Sequence, residues 1–213
     1  MKPMIITLTG PSCAGKTYLL NSLLKEYPNI FAKLLSDTTR EKRIDESEGD
    51  EYNFISKEDF IRKNINDEYC QTVSFNGINY GTKREALTYA FETGLVPIRI
   101  VEPTGIAQFR KISQELGCMY FSVYVDEEPV VVMSRWIERY RNEKNPNTEY
   151  YALRILQTIF SEITWIDQED YDFYYNESIV DPLELSYALS RIASGNMPIS
   201  TCRKIFPMPE NNS

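Results

Sequence analysis

The chain contains no histidine, so no imidazole is available as general base, proton shuttle or metal ligand. Chemistry must come from lysine, arginine, carboxylates, backbone groups or a bound metal. Cysteine is sparse: Cys13, Cys70, Cys118 and Cys202 are scattered, without the paired spacing of a metal site or a disulfide framework. Reduced thiols are the simplest expectation. No apolar run is long enough to span a membrane and no signal-like N terminus is present, which predicts a soluble, cytoplasmic protein without a membrane partner. An excess of positive charge is also missing. With 23 Lys and Arg against 31 Asp and Glu, the net charge is −8. Because binding along a nucleic acid needs a basic stripe, no nucleic-acid partner is expected.

What is present begins at Gly10-Pro11-Ser12-Cys13-Ala14-Gly15-Lys16-Thr17, directly after the apolar run Met4-Ile5-Ile6-Thr7-Leu8. A glycine, four free positions and Gly-Lys-Thr form the phosphate-binding loop pattern, and its placement between a strand and a helix supports the match. Glycines let the backbone N–H groups close on a polyphosphate, and the helix N terminus favours negative charge. Lys16 would carry a full positive charge to the terminal phosphates, and the Thr17 hydroxyl is placed to ligate Mg²⁺. Cys13 lies inside this loop, where lysine and helix N termini lower thiol pKa values. The plainer reading, a small residue that fits, is favoured.

The 213 residues suffice for one α/β domain with insertions. After the first helix, Phe31 to Ser36 reads as a short strand and Asp37 to Asp50 as a polar surface loop. Short strands between Tyr52 and Tyr80, with a helix begun by Ser56, suggest a small β-rich lobe. From Lys83 onward helices and strands alternate, which argues for a parallel sheet covered on both faces. A long helical pattern after Pro129 breaks around Asn142 to Thr148 and resumes from Glu149 to about Ile166, the form of a closing lid. The predicted organisation is a domain over 1–195, with a core of 1–35, 83–128 and 169–195. A lobe takes about 36–82, a lid about 129–168, and a flexible tail 196–213.

Two further segments add a resemblance. Ser36-Asp37-Thr38-Thr39-Arg40-Glu41-Lys42-Arg43, followed by Tyr52-Asn53-Phe54, is similar to the Ser-x-Thr-Thr-Arg-x-x-Arg and Tyr-x-Phe motifs of the guanylate kinase family. Asn76-Gly77-Ile78-Asn79-Tyr80-Gly81-Thr82 resembles that family's Gly-Asn-x-Tyr-Gly-Ser/Thr. The likeness runs from about Met4 to Asn176. It implies a P-loop kinase fold, with a parallel β-sheet core flanked by helices, a small β-rich monophosphate-binding lobe and a helical lid. It also implies ATP as phosphoryl donor, Mg²⁺, and a small-molecule nucleoside monophosphate, GMP or dGMP, as acceptor. The oligomeric state stays open.

By the same resemblance, Arg40, Arg43, Tyr52 and Tyr80 would hold the acceptor phosphate, and Ser36 and Thr82 would donate to the guanine carbonyl. Planar, permanently charged forks suit a dianionic phosphate independently of the resemblance. Two base-reading positions depart from the family pattern. Its acidic residue falls on Gln71, and an aspartate of its Asp-x-Asp-x-x-Gly segment falls on Glu102, with Ile100 at the first aspartate. A carboxylate accepts from two adjacent donors, whereas an amide offers one acceptor and one donor group, so guanine and other bases both remain open. Arg135 and Arg139 match the paired lid arginines, and four-residue spacing puts both on one helix face, toward ATP phosphates. Arg141 and Arg154 are weaker candidates. Alternatives are a kinase of altered base range, a non-catalytic guanylate-kinase-like interaction module, which the intact Lys16 opposes, and, more weakly, a nucleic-acid kinase.

Overall fold

The computed structural model describes residues 3–42, 49, 52–75, 77–143 and 146–209. Arg43 and Asn76 lie outside them. The β-branched run at the start forms β1 (Met4–Thr9), and the helix after the glycine loop is α1 (Lys16–Glu26). β2 (Phe31–Lys33), β7 (Val96–Ile100), β8 (Met119–Asp126) and β9 (Phe173–Asn176) join β1 in a five-stranded sheet of order β2-β7-β1-β8-β9. Every pairing in it is parallel.

Alternation along β1 explains how both faces are covered. Met4, Ile6 and Leu8 pack with Leu19, Leu20 and Leu23 of α1 and with Leu185 and Leu189 of α7 (Pro182–Ala193). Ile5 points the other way, into a cluster with Leu87 of α3 (Arg84–Glu92) and Ile106 and Phe109 of α4 (Pro103–Leu116). A period of two puts successive side chains on opposite faces. Each fully buried aliphatic or aromatic side chain contributes ~1.5–3 kcal/mol, so the sheet is a firm platform for its loops.

A second sheet is built between β2 and α3. Its strands are β3 (Ser36–Thr38), β4 (Tyr52–Phe54), β5 (Tyr69–Phe75) and β6 (Ile78–Lys83), in the order β4-β3-β6-β5. α2 (Lys57–Ile65) starts at Ser56, whose side chain accepts from the Asp59 N–H as an N-cap. The expected single strand over Phe31 to Ser36 therefore splits, and Ser36 belongs to a different sheet. The expected surface loop from Asp37 is likewise corrected at its start. Asp37 is fully buried, because Lys63 at 2.6 Å, Tyr69 at 2.9 Å and Asn53 at 3.0 Å satisfy its carboxylate. Lys83 stands 3.6 Å away.

α5 (Pro129–Asn142) and α6 (Thr148–Phe160) pack through Trp136 and Tyr151, whose rings meet edge to face at 5.9 Å. The helix expected to reach Ile166 stops at Phe160, and a 3₁₀ turn over Glu162–Asp167 follows. The segment after Gly195, expected to be flexible, contains α8 (Ile199–Ile205). Cys202 and Phe206 bury themselves against the first cluster, and the Phe206 carbonyl accepts from the Tyr174 N–H. Two apolar residues in a proline-rich stretch were enough to dock it.

Candidate active site

The phosphate loop runs from the end of β1 into α1. Gly10 has φ +149, and a Cβ there would lie 1.9 Å from the Val125 carbonyl oxygen, so only glycine fits. Gly15 caps α1 with φ 103, beside Glu177 and Arg135. The Lys16 ammonium donates to the Gly10 and Pro11 carbonyls, both at 2.7 Å. Burial lowers its pKa to about 8, against the opposing field of Glu162. Ala14 is buried in the core beneath the loop, while Thr17 faces outward. Cys13 sits at φ 66, and burial pushes its thiol up despite Arg139 and Lys16 nearby. That agrees with the plainer reading of Cys13.

Two cavities open on either side of Lys16, which lines both. The first, about 410 Å³, is bordered by Cys13, Gly15, Thr17, Arg135, Arg139 and Glu177. Arg135 donates to the Cys13 carbonyl at 3.1 Å, to Glu177 at 2.9 Å and to Glu127 at 3.3 Å. Arg139 lies over the Trp136 ring at 5.8 Å, and Arg154 lies at the same distance from that ring's centroid. The paired arginines thus share a face and a cavity, as their spacing predicts. Arg154 reaches the loop itself, donating to the Ser12 hydroxyl at 2.7 Å and pairing with Glu162 at 3.1 Å. Arg141 is exposed near the end of α5 and lines neither cavity.

The second cavity, about 190 Å³, has Tyr52, Gln71, Tyr80, Arg99 and Glu102 in its walls. Tyr52 and Tyr80 stand with ring centroids 5.6 Å apart. Arg40 and Arg99 both lie over the Tyr52 ring, at 5.5 and 5.4 Å. Strand register brings Ser36 opposite Thr82 and Gln71 beside it. The Ser36 and Thr82 hydroxyls are 3.1 Å apart, and Thr82 donates to the Gln71 Oε1 at 3.0 Å. Since Thr82 has one proton and gives it to Gln71, Ser36 is the donor to Thr82. Burial raises Glu102 to about 7, with the Glu162 charge adding to the effect.

Of the described candidates, Thr17, Arg135 and Arg139 thus share one cavity with Lys16, and Tyr52, Gln71, Tyr80 and Glu102 share the other; Arg40, Ser36 and Thr82 stand next to residues of the second, and Arg141 lies apart. Sequence reasoning missed Arg99, Glu127, Glu177 and Glu162. Arg99 carried a signal, an arginine inside the apolar strand Val96–Ile100. Glu162 carried none, because its approach to Ser12 depends on where α6 ends.

A parallel sheet with a strand, glycine loop and lysine-led helix defines the class: a P-loop phosphate-binding protein. A family model described as guanylate kinase matches residues 1–180, and the chain belongs to the guanylate kinase family. It is 35% identical to a guanylate kinase of Chlamydia abortus over 103 residues, 48% of this chain and 50% of that protein. The match spans only about half the length of that relative. Longer matches cover 80% of this chain and 79% of a guanylate kinase from Carboxydothermus hydrogenoformans at 29% identity. A guanylate kinase from Trichormus variabilis is 31% identical, over 78% of this chain and 79% of its own. The crystal structure of guanylate kinase from Anaplasma phagocytophilum superposes with a TM-score of 0.65, covering 95% of this chain and 89% of that one at 24% identity. That likeness supports the fold. Among the described residues, no helix is long and apolar enough to cross a membrane.

Proposed function

We propose that the protein is an ATP-dependent nucleoside monophosphate kinase of the cytoplasm, transferring the γ-phosphoryl group of ATP to GMP or dGMP. The observation that carries this reading is Lys16 lining both cavities, so one ammonium can serve donor and acceptor phosphates. Phosphoryl transfer asks the protein mainly for positioning and charge neutralisation. Arg135 and Arg139 would contact the ATP phosphates from the larger cavity, while Arg40, Tyr52 and Tyr80, with Arg99 in the same cavity wall as the two tyrosines, would orient the acceptor phosphate. An ionised acceptor phosphate is its own nucleophile, so no general base is needed and the absence of histidine is no obstacle.

Among the described residues no group of three or more carboxylate or cysteine side chains could hold a metal. Thr17, at the edge of the larger cavity, fits a Mg²⁺ that keeps water and phosphate oxygens as its other ligands. Bound there, Mg²⁺ would neutralise charge on the β- and γ-phosphates. The lobe over 36–82 and the lid over 129–168 would close around both nucleotides and exclude water, the competing acceptor.

A second reading, a kinase for another base, is favoured by one observation. With its Oε1 engaged by Thr82, Gln71 has donors left to offer, whereas the N1–H and amino group of guanine are donors too. A base edge that sets one donor beside one acceptor, such as that of adenine or thymine, would suit the amide better. A panel of ribo- and deoxynucleoside monophosphates with ATP tests the reading. Turnover with GMP or dGMP is expected; turnover confined to a non-guanine acceptor would refute it and favour the second.

A further inference from the structure

Glu162 belongs to none of the roles above, yet its side chain is almost completely buried at the phosphate loop. Its Oε2 accepts from the Ser12 N–H at 2.6 Å, and its Oε1 lies 3.1 Å from the Arg154 guanidinium. Arg154 closes the triangle by donating to the Ser12 hydroxyl. An anion held by a loop N–H and one nitrogen of an arginine is a contact set that suits a phosphate oxygen equally well. The nearby Lys16 ammonium meanwhile spends its protons on the loop's own carbonyls.

We propose that Glu162 is a resident anion that keeps the place of a nucleotide phosphate and has to leave the loop when one arrives. The proposal rests on reading this loop as the nucleotide site. One N–H supports one well-aligned acceptor, so carboxylate and phosphate cannot both hold the Ser12 amide. Like charges side by side in a water-poor cavity also repel strongly. Arg154 makes the exchange nearly neutral, because its guanidinium trades one anion for another. Glu162 can withdraw at Ser161, where α6 gives way to the 3₁₀ turn at φ −128 and ψ −52. The latch thereby ties the end of the α5–α6 pair to the loop until a phosphate takes its place.

Calorimetric titration of the full chain with inorganic tripolyphosphate tests this, using wild type, Glu162→Gln and Glu162→Asp. Glutamine removes the charge, whereas aspartate keeps it but is one carbon too short for the Ser12 amide. Both variants should bind about tenfold more tightly, the value of one charge-assisted hydrogen bond no longer displaced. Unchanged or weaker binding in both would overturn the latch while leaving the nucleotide site intact. Tightening in Glu162→Gln alone would overturn it too, as plain charge repulsion. Binding by none of the three proteins would overturn the site reading and the latch together. Should either variant fail to fold, the wild-type protein with carboxyl-labelled glutamate gives the answer by NMR. The Glu162 resonance should move on saturation with tripolyphosphate, and a stationary resonance refutes the proposal.

Discussion

Asp37→Asn should loosen the acceptor side of the site while leaving the donor side unaltered. The Asp37 side chain is 0% exposed, and the Lys63 ammonium 2.6 Å away is 16% exposed. Replacing the carboxylate by an amide keeps the volume but strands Lys63 and turns one acceptor into a donor facing donors. Breaking a buried ion pair from one side costs ~3–5 kcal/mol, and partial exposure of Lys63 places this case near ~3 kcal/mol. β3 carries Ser36 opposite Thr82 of β6, so the loss falls on the four-stranded sheet. If all of it appeared in acceptor binding, the acceptor KM would rise by roughly 100-fold, an upper limit. Urea unfolding and separate KM measurements for ATP and monophosphate check the split. An unchanged unfolding midpoint with an unchanged acceptor KM would refute the reasoning.

The pH dependence gives the same test a sign. Burial pushes Asp37 upward, but hydrogen bonds from Lys63, Asn53 and Tyr69 outweigh it and hold the carboxyl below the usual range. Its stabilisation is therefore present above the unfolded value of about 3.9 and lost as pH falls through the lower folded one. Wild type and Asp37→Asn should converge in stability over that acid window.

Three further outcomes are expected. Arg139→Met should lower kcat by about 10²-fold, the usual cost of one preorganised donor to a developing charge, with the acceptor KM unchanged in steady-state assays. Gln71→Glu should tighten GMP by about tenfold if guanine is the base, since a carboxylate accepts from both of its donors; competition binding reads this out. Burial lowers the Lys16 pKa to about 8, so ATP binding should weaken as pH rises through that value. Lys16→Arg, which stays charged, should remove that limb of the profile.

Much of this was legible from the residues. The β-branched runs, the glycine loop and the alternation of helices with strands dictated the parallel sheet, because each depends on local pattern. Tyr52, Tyr80, Gln71 and Glu102 were found by motif position, and they line one cavity. What escaped depends on tertiary contact. Asp37 looked like a loop residue, since nothing local announces that Lys63, Tyr69 and Asn53 will converge on it. Glu162 fell inside the helix expected from Glu149 to about Ile166, with nothing in the local pattern to set it apart. Cys202 and Phe206 sat in a segment without periodicity, and two anchoring side chains do not make a period.

The most direct test of phosphoryl transfer between nucleotides is a ³¹P NMR time course of the full chain with ATP, Mg²⁺ and GMP. One ADP should appear for each GDP formed, with no free phosphate, and Lys16→Ala should abolish both signals. Release of inorganic phosphate in place of GDP, or turnover that survives Lys16→Ala, would contradict the account.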